Sequence, residues 1–226
     1  QLVPNVFANS EWDLKANIIE YWQQGRFNAQ KESGLMSGVG LGMSLPWRGW
    51  TWSSIAQIVE GKRNLATTGT AFSNHFQYEW SAVIAPVESS MDSAFYFGIG
   101  LNHLNVSYYL SEDQDVDQVQ QKIYYLPIGY QLWKTTSTGW NVGLKVEYDF
   151  LLKGTNYDGY HTTRTLSKNV AWKLQLDFLH ATEWGYFSIQ PYWNYWSIHS
   201  AINMDSSIRV LQDRFHILGL KVAFSL

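Results

Sequence analysis

The sequence predicts an all-β fold: a closed, antiparallel, up-and-down β-barrel of about ten strands, with eight or twelve as alternative counts. Apolar and polar residues alternate with a period of two in many segments, as in "GWNVGLKVEYDFLLKG" at 139–154. This period is that of an extended strand. The polar segments between these runs alternate between long and short along the chain. An up-and-down meander shows this alternation when all its long connections lie at one end.

The predicted strands have boundaries good to about two to four residues. They are 12–25, 35–45, 50–60, 74–86, 92–109, 120–133, 139–153, 167–180, 185–197 and 207–226. An even number of strands places both termini at the end with the short connections. The long polar segments, predicted as loops at the other end, are 26–34, 61–73, 110–119, 154–166 and 198–206. No repeat or composition break divides the chain, so we predict a single domain, 1–226.

Composition limits the possible functions. Of the 226 residues, 46% are hydrophobic, 16% are aromatic and only 15% are charged, with a net charge of −3. We therefore expect no nucleic-acid partner. The absence of cysteine excludes disulfides and thiolate metal sites. No nucleotide loop, metal-binding His pair or Gly-x-Ser-x-Gly motif is present. We predict no metal, no cofactor, no catalytic residue and no enzymatic activity.

The polar row of the strands indicates which face lies inside. A soluble barrel would turn this row to water and enrich it in Lys and Glu. Here it is mostly small or neutral, as at Gly38, Gly40 and Gly42, which suits a crowded concave interior. Its few charges have both signs, so we expect them to pair across the lumen. The bulky apolar row would then face lipid, whereas a soluble barrel or sandwich, the alternative, would have to bury all of it.

Charged and amide side chains on the predicted inner face are the main candidates for function. The predicted seventh and eighth strands are neighbours and contribute most of them. The predicted lumen-lining residues are Lys15, Glu79, Lys145, Glu147, Asp149, Lys173, Gln175 and Asp177. Small barrels fill their interiors with side chains, whereas large ones leave a channel. Two interpretations stay open: a packed plug of salt bridges and hydrogen bonds, or a narrow water-filled passage.

Aromatic residues near strand ends predict membrane girdles. Trp140 and Tyr148 are eight residues apart on one strand, which is about 26 Å along the strand at about 3.3 Å per residue, or roughly 20 Å of height at a tilt of about 40°. The apolar band of an outer-membrane barrel is about 25 Å tall, with aromatic residues at both edges. The predicted girdle residues are Trp80, Trp140, Tyr148, Trp172 and Trp193.

Over its whole length the chain resembles the bacterial outer-membrane β-barrel class. Its last segment, "KVAFSL", keeps the alternating apolar residues Val222 and Phe224 of the final strand of such proteins, although Leu226 replaces the usual terminal aromatic residue. The resemblance implies a multi-pass barrel in the bacterial outer membrane with periplasmic termini. It also implies outer-membrane lipid and lipopolysaccharide as partners.

Two kinds of irregularity interrupt the pattern. Pro127 and Pro191 fall inside predicted strands, where they require bulges or local breaks in pairing. The alternation also changes phase near His103–Leu104 and near Asp213–Phe215. These changes predict either bulges or strands that extend beyond the membrane.

The leading functional hypothesis is a narrow channel that transports small polar solutes. The second is a non-catalytic surface-binding or envelope-assembly barrel that displays its loops to an extracellular or periplasmic protein, with Tyr157, Tyr160 and His161 as candidate binding residues. The third is a rim enzyme that acts on envelope lipid. His103, His180 and His199 could be assigned to such an enzyme, but a polar residue near a strand end is the simpler interpretation of each.

Overall fold

The strands and their bounds come from a computed structural model of the chain. It describes residues 13–27, 30–65, 72–86, 93–111, 114–158, 162–204 and 207–225. This part of the chain has no helix long and apolar enough to cross a membrane. Its ten strands are β1 (Asp13–Phe27), β2 (Gln30–Trp47), β3 (Trp50–Leu65), β4 (Phe72–Pro86), β5 (Ser93–Ser111), β6 (Gln114–Thr135), β7 (Trp140–Asp158), β8 (Thr162–Thr182), β9 (Gly185–Met204) and β10 (Ser207–Ser225).

Each of these strands pairs antiparallel with its neighbours in the chain. β1 pairs on one side with β2 and on the other with β10, where Lys15 lies opposite Ser225. The predicted all-β, antiparallel, up-and-down fold is therefore confirmed. The sheet curls, so it has a concave inner face and a convex outer face. The start of β1 and the end of β10 lie at the same end as the connections 48–49, 136–139 and 183–184, which we call the turn end.

The prediction of long loops at the far end is wrong. β7 continues to Asp158 and β8 begins at Thr162, so strand occupies most of the predicted loop 154–166. The other four predicted loops also begin in strand and three of them end in strand, and the middle of the longest of them, 66–71, lies outside the described residues. These segments were predicted as loops because their residues are polar. The outward side chains of a strand are also polar where the strand extends beyond the lipid into water.

β6 shows this change along a single strand. Gln120 and Lys122 are exposed on its outer face, whereas the outward side chains between Tyr124 and Leu132 are apolar or aromatic. The inner face changes in the opposite sense, because Val119 and Ile123 are buried near the far end. Toward the far end, therefore, β6 is polar outside and carries Val119 and Ile123, with Gln121 between them, buried inside.

The same change of the apolar side chains from the outer face to the inner face explains the two phase changes in the sequence. Leu104 and Ile217 are buried on the inner face, and the pairing register runs without a shift through both regions. The shift in the β5–β6 pair lies further along, near Tyr109. A bulge at either phase change is therefore wrong, and the geometry agrees with strands that extend beyond an apolar belt.

Both prolines interrupt pairing on one side, as the sequence predicted. The β5–β6 ladder skips Leu126 and Pro127, and the β8–β9 ladder skips Pro191. Proline has no backbone N–H to donate to a ladder. The other neighbour of each proline stays in register, so the sheet keeps its order around both breaks.

The outer face carries a broad belt of exposed apolar side chains. Examples from several strands are Val39, Leu41, Phe97, Ile128 and Leu218. A soluble monomer does not usually expose a contiguous apolar surface of this extent. The belt therefore indicates contact with lipid.

Candidate functional site: the inner charge cluster and the turn-end cavity

Lys173, on the inner face of β8, is the centre of an ion-pair group that joins three strands. Its Nζ lies 2.9 Å from Glu147 Oε1 and 3.1 Å from Asp149 Oδ2, both on β7. It also lies 3.2 Å from Glu79 Oε1 on β4. Lys145 Nζ adds a contact of 3.3 Å to Glu147 Oε2. We call these five residues the charge cluster.

Neutral side chains complete the hydrogen bonds of two carboxylates in the charge cluster. The Tyr125 hydroxyl donates to Glu79 Oε1 at 2.8 Å, and Gln57 Nε2 donates to Glu79 Oε2 at 2.6 Å. The Tyr96 hydroxyl donates to Glu147 Oε2 at 2.8 Å. Buried charges are tolerated when they are both paired and hydrogen-bonded. The cluster therefore forms a tight cross-link between opposite parts of the inner face.

Glycines opposite the two tyrosines allow this geometry. Gly129 is the direct partner of Tyr96 across β5 and β6, and Gly100 is the direct partner of Tyr125. A Cβ atom on either glycine would collide with the facing ring. Each ring therefore lies over its glycine, and its hydroxyl reaches a carboxylate.

The structure places most of the predicted lumen-lining residues on this face. Glu79, Lys145, Glu147, Asp149 and Lys173 come together in the charge cluster. Gln175 and Asp177 lie nearer the turn end, where Gln175 Nε2 donates to Asp177 Oδ1 at 2.6 Å. The strand of Lys15 is described, but its side chain lies outside the described residues.

Between the charge cluster and the turn end lies a cavity of about 240 Å³, which we call the turn-end cavity. Serine, threonine and glutamine side chains provide much of its lining, together with the aromatic residues Tyr96, Trp133 and Tyr186. Its lining therefore mixes polar and apolar side chains.

Toward the far end, packed side chains fill the inner face: a cluster of apolar ones, with the buried polar Gln77, Asn102 and Gln121 beside it. Trp196 meets Tyr125 edge-to-face with ring centroids 5.8 Å apart, and buried residues from β2, β3, β5, β6, β8, β9 and β10 belong to the same contact cluster. We call this cluster the inner apolar plug. Its members are Met36, Val59, Leu104, Val106, Val119, Ile123, Tyr125, Ala171, Tyr192, Trp196, Ile198, Phe215 and Ile217.

Several solved structures share this arrangement of strands. The beta domain of the Bordetella autotransporter BrkA matches with a TM-score of 0.55 at 12% identity, covering 95% of this chain and 98% of that one. The transport unit of the Escherichia coli autotransporter AIDA-I gives 0.52 at 11% identity, covering 97% and 92%. The Escherichia coli outer membrane protease OmpT gives 0.50 at 9% identity, covering 97% and 99%.

The fold is that of the bacterial outer-membrane β-barrels. No family model and no curated protein matches the sequence. At these identities the outer-membrane barrel likeness establishes the fold alone, and it does not choose among the different activities of such proteins.

The predicted girdle residues lie at two levels of the outer-membrane barrel. Trp140 stacks on His180 at 4.7 Å near the turn end. Tyr148 packs against Trp172 at 4.6 Å further along the same pair of strands. Trp193 stacks with its neighbour Tyr195 at 6.3 Å on β9. Trp80 lies on the outer face of β4, where its Nε1 donates to Ser54 Oγ at 3.0 Å.

The three candidate binding residues that were predicted in a loop have different outcomes. Tyr157 was predicted in a loop, but it lies in β7 and pairs with Gln120 and Thr163, so the loop placement is wrong, whereas its role in binding stays a prediction. Tyr160 and His161 lie outside the described residues.

The structure also shows a hydroxyl–imidazole contact that was not predicted. Ser73 Oγ lies 2.8 Å from His75 Nε2, but both residues are almost fully buried, so a substrate could not reach them. Among the described residues no cluster of three or more His, Asp or Glu is arranged to hold a metal ion.

Some members of the site were missed from sequence. Gln57, Tyr96 and Tyr125 are neutral, so a search for charge pairs passed over them. The available signal was an inward tyrosine directly opposite an inward glycine on the neighbouring strand, but that signal needs the register, which alternation alone does not supply.

Proposed function

We propose that this protein is an integral outer-membrane barrel, closed by the pairing of β1 with β10, that does not conduct solutes. It spans the membrane once with each of its ten strands, with the turn end and both termini in the periplasm. It serves as a rigid pedestal that holds the far ends of its strands outside the cell for binding. This is the surface-binding alternative, with strands in place of long loops.

The inner apolar plug is the observation that carries this proposal. Its members come from strands all round the sheet and form one contact cluster. Beside it, the contact of Lys173 on β8 with Glu79 on β4 crosses the interior. Hydrated ions and polar solutes would have to displace packed side chains to pass, which is costly because the apolar members of the plug offer them no hydrogen bonds.

The same feature argues against protein translocation. AIDA-I is described as a transport unit, and BrkA as the beta domain of an autotransporter. A translocated chain needs a lumen with room for backbone and hydration. The plug supports a different use of the same fold in this protein.

The far ends of the strands support a role in binding. On β6 the nine residues 114–122 lie beyond Tyr124 and would add about 30 Å of strand at about 3.3 Å per residue, or about 20 Å of height at the usual tilt. Lys122 and Lys153 are exposed beside the Tyr124 level. There they could pair with the phosphates of lipopolysaccharide, while an extracellular partner binds above them.

Conductance measurements test the proposal. The refolded protein is inserted into planar bilayers and recorded over a range of salt concentrations and voltages. We expect wild type to be silent. A variant with Ile198, Phe215 and Ile217 all changed to Ala should show leak, because it removes a large part of the plug. A matched control changes Leu174, Leu218 and Leu220 on the outer face to Ala and should stay silent. Steady unitary conductance of wild type would overturn the proposal.

A narrow passage for small polar solutes is the second candidate, and the turn-end cavity favours it. If wild type conducts, Lys173→Gln should shift its ion selectivity toward cations, since it removes a positive charge from the centre of the charge cluster. Enzymatic activity is not part of either candidate, and its absence stays a prediction.

A further inference from the structure

The hairpin between β2 and β3 carries a cation and three tryptophans at the turn end. β2 ends at Trp47 and β3 begins at Trp50, so Arg48 and Gly49 form a two-residue turn. Trp47 and Trp50 lie directly opposite each other, and Trp52 follows two residues further along β3. The three tryptophans are 64%, 42% and 53% exposed. We call Trp47, Arg48, Trp50 and Trp52 the tryptophan hairpin.

The three tryptophans lie on the outer face of the sheet. Because side chains alternate along a strand, Trp47 shares the outer face of β2 with Leu41, which is exposed in the apolar belt. Trp52 lies on the outer face of β3, since its neighbour Thr51 is buried on the inner one. Across the pair of strands β3 and β4, Trp52 faces the exposed Ile84. The tryptophan hairpin therefore continues the apolar belt to its turn-end edge, where lipid is the adjoining partner.

The guanidinium of Arg48 is held at this edge. Its Cζ lies 5.2 Å from the centroid of the Trp47 ring, which is a cation–π distance. The positive charge therefore lies beside a tryptophan of the outer face. Arg48 is exposed, and none of the ion pairs in the described part of the chain includes it. An anion outside the protein can therefore pair with it.

Turn geometry does not explain an arginine at this position. Arg48 and Gly49 have φ of +49° and +82°, as in a type I′ hairpin turn. Such turns favour Asn followed by Gly, because few side chains tolerate a positive φ. Arg48 is the only residue other than glycine with a positive φ in the described ranges. Its side chain therefore indicates a role that the turn itself does not require.

The spacing along the hairpin matches the profile of a lipid leaflet. Trp50 lies two residues nearer the tip than Trp52, which is about 7 Å along the strand at about 3.3 Å per residue and about 5 Å in height at a tilt of about 40°. The polar region of one leaflet is about 5–7 Å thick. With the Trp52 ring at the hydrocarbon edge, Trp50 and Arg48 lie at the level of the headgroups. Tryptophan suits this zone because its ring is apolar and its N–H can donate.

We propose that the tryptophan hairpin binds an anionic phospholipid, with the Arg48 guanidinium on the phosphate oxygens and the tryptophan rings against the glycerol and the upper acyl chains. A guanidinium matches a phosphate with two parallel hydrogen bonds. The headgroup of phosphatidylglycerol has no ammonium of its own to compete with Arg48, whereas that of phosphatidylcholine has one, so the anionic lipid is preferred. The proposal rests on the barrel spanning a bilayer, but not on its conductance or on which end lies outside the cell.

Native mass spectrometry of the detergent-folded protein tests the binding. The probes are dioleoyl phosphatidylglycerol and dioleoyl phosphatidylcholine, titrated separately and in competition. We expect wild type to retain phosphatidylglycerol preferentially. Arg48→Asn should weaken binding of the first phosphatidylglycerol about three- to five-fold, the size expected for one exposed ion pair. Because Asn is favoured at this turn position, the variant should fold, and resistance to unfolding in cold sodium dodecyl sulfate checks that it does.

Lys134→Gln is the matched control, because Lys134 is also an exposed cation near the turn end. Its ammonium lacks the planar fork of a guanidinium, so this variant should bind phosphatidylglycerol as wild type does. Equal losses in Arg48→Asn and Lys134→Gln would mean that only general surface charge attracts the lipid. That result, or a wild type without preference for phosphatidylglycerol, would overturn the proposal.

Fluorescence quenching in vesicles of both lipids tests whether the hairpin lies in the bilayer. The emission of the hairpin is the difference between wild type and a variant with Trp47 and Trp50 changed to Phe. Phospholipids brominated near the start of their acyl chains should quench this difference emission, whereas aqueous acrylamide should quench it little. The opposite result would make the hairpin a site for a soluble partner and would contradict the proposal. Conductance is measured separately, so a failure here leaves the pedestal proposal to its own test.

Discussion

The ring of Tyr96 occupies the space above Gly129, its direct partner across β5 and β6. The position of the hydroxyl, 2.8 Å from Glu147 Oε2, depends on this lack of a side chain. Gly219 and Tyr192 show the same arrangement on β9 and β10, where the Lys221 ammonium lies 5.0 Å from the Tyr192 ring centroid. The glycine opposite each tyrosine thus determines where the tyrosine hydroxyl lies.

Gly129→Ala should destabilise the barrel, because the added methyl group displaces the Tyr96 ring from the space above residue 129. We expect a loss of about 1–3 kcal/mol in the free energy of unfolding, typical of an overpacked interior. Urea unfolding in lipid vesicles, followed by tryptophan fluorescence, measures it. Tyr96→Phe is the comparison, since it removes the hydroxyl and leaves the ring in place. An unchanged stability of Gly129→Ala would contradict the packing described.

Lys173→Met should cost more, because it leaves Glu79, Glu147 and Asp149 without their shared cation. Removing one partner of a buried ion pair costs about 3–5 kcal/mol. Adding Glu79→Gln, Glu147→Gln and Asp149→Asn to this variant should restore much of the stability, since no buried carboxylate then lacks a cation and the Lys145 side chain, which stays charged, is 30% exposed. Lys134→Met, at an exposed lysine, is the control and should change little. Equal losses for both lysines would show that the cluster has no structural role.

Ile123→Ala should be clearly destabilising, because Ile123 is 2% exposed within the inner apolar plug. Truncation there leaves a cavity and should cost about 2–5 kcal/mol. Ile128→Ala, on the outer face of the same strand and 46% exposed, should cost less because lipid chains can fill the space. The same unfolding assay compares the two, and a larger loss at Ile128 would count against the plug.

Charged substitutions on the outer face of β6 can locate the edge of the apolar belt. Ile128→Arg should destabilise by about 2–4 kcal/mol if Ile128 faces the middle of the bilayer. Gln120→Arg, four side chains along the same face, should be nearly neutral because it lies in water. Unfolding in vesicles of defined lipid thickness measures both. Similar costs at the two positions would mean that the apolar belt extends to the far end.

Cysteine labelling tests which end is outside. The chain has no native cysteine, so Gln120→Cys and Ser137→Cys are each the single thiol in the protein. On intact cells a membrane-impermeant maleimide should label the first and not the second. Both should react after the outer membrane is permeabilised. Labelling of Ser137→Cys alone on intact cells would reverse the proposed orientation.

Alternation predicted the strands because each side of a strand meets one environment over most of its length. On β7, Val146 and Phe150 are exposed on the outer face, whereas Glu147 and Asp149 are buried inside, as the sequence predicted. The far ends were missed because polarity there has two possible causes. A polar residue such as Lys122 fits a loop, and it also fits the outer face of a strand in water.

The charge cluster was predictable in part. Lys145, Glu147, Asp149 and Lys173 lie on neighbouring strands, so period and topology bring them together. Glu79 is on β4 and reaches Lys173 across the interior, a contact that depends on the curvature and stagger of the sheet. Neither the curvature nor the stagger can be predicted from the local alternation of the sequence.

The exchange of apolar and polar sides along β6 has a mechanical consequence. Sinking the protein by two residues would immerse Lys122 in hydrocarbon, and raising it by as much would bring Leu132 into water. Either movement would place side chains of other strands in an unfavourable environment at the same time. The chain should therefore sit at one fixed height, and a bilayer of a different thickness would have to deform to match it.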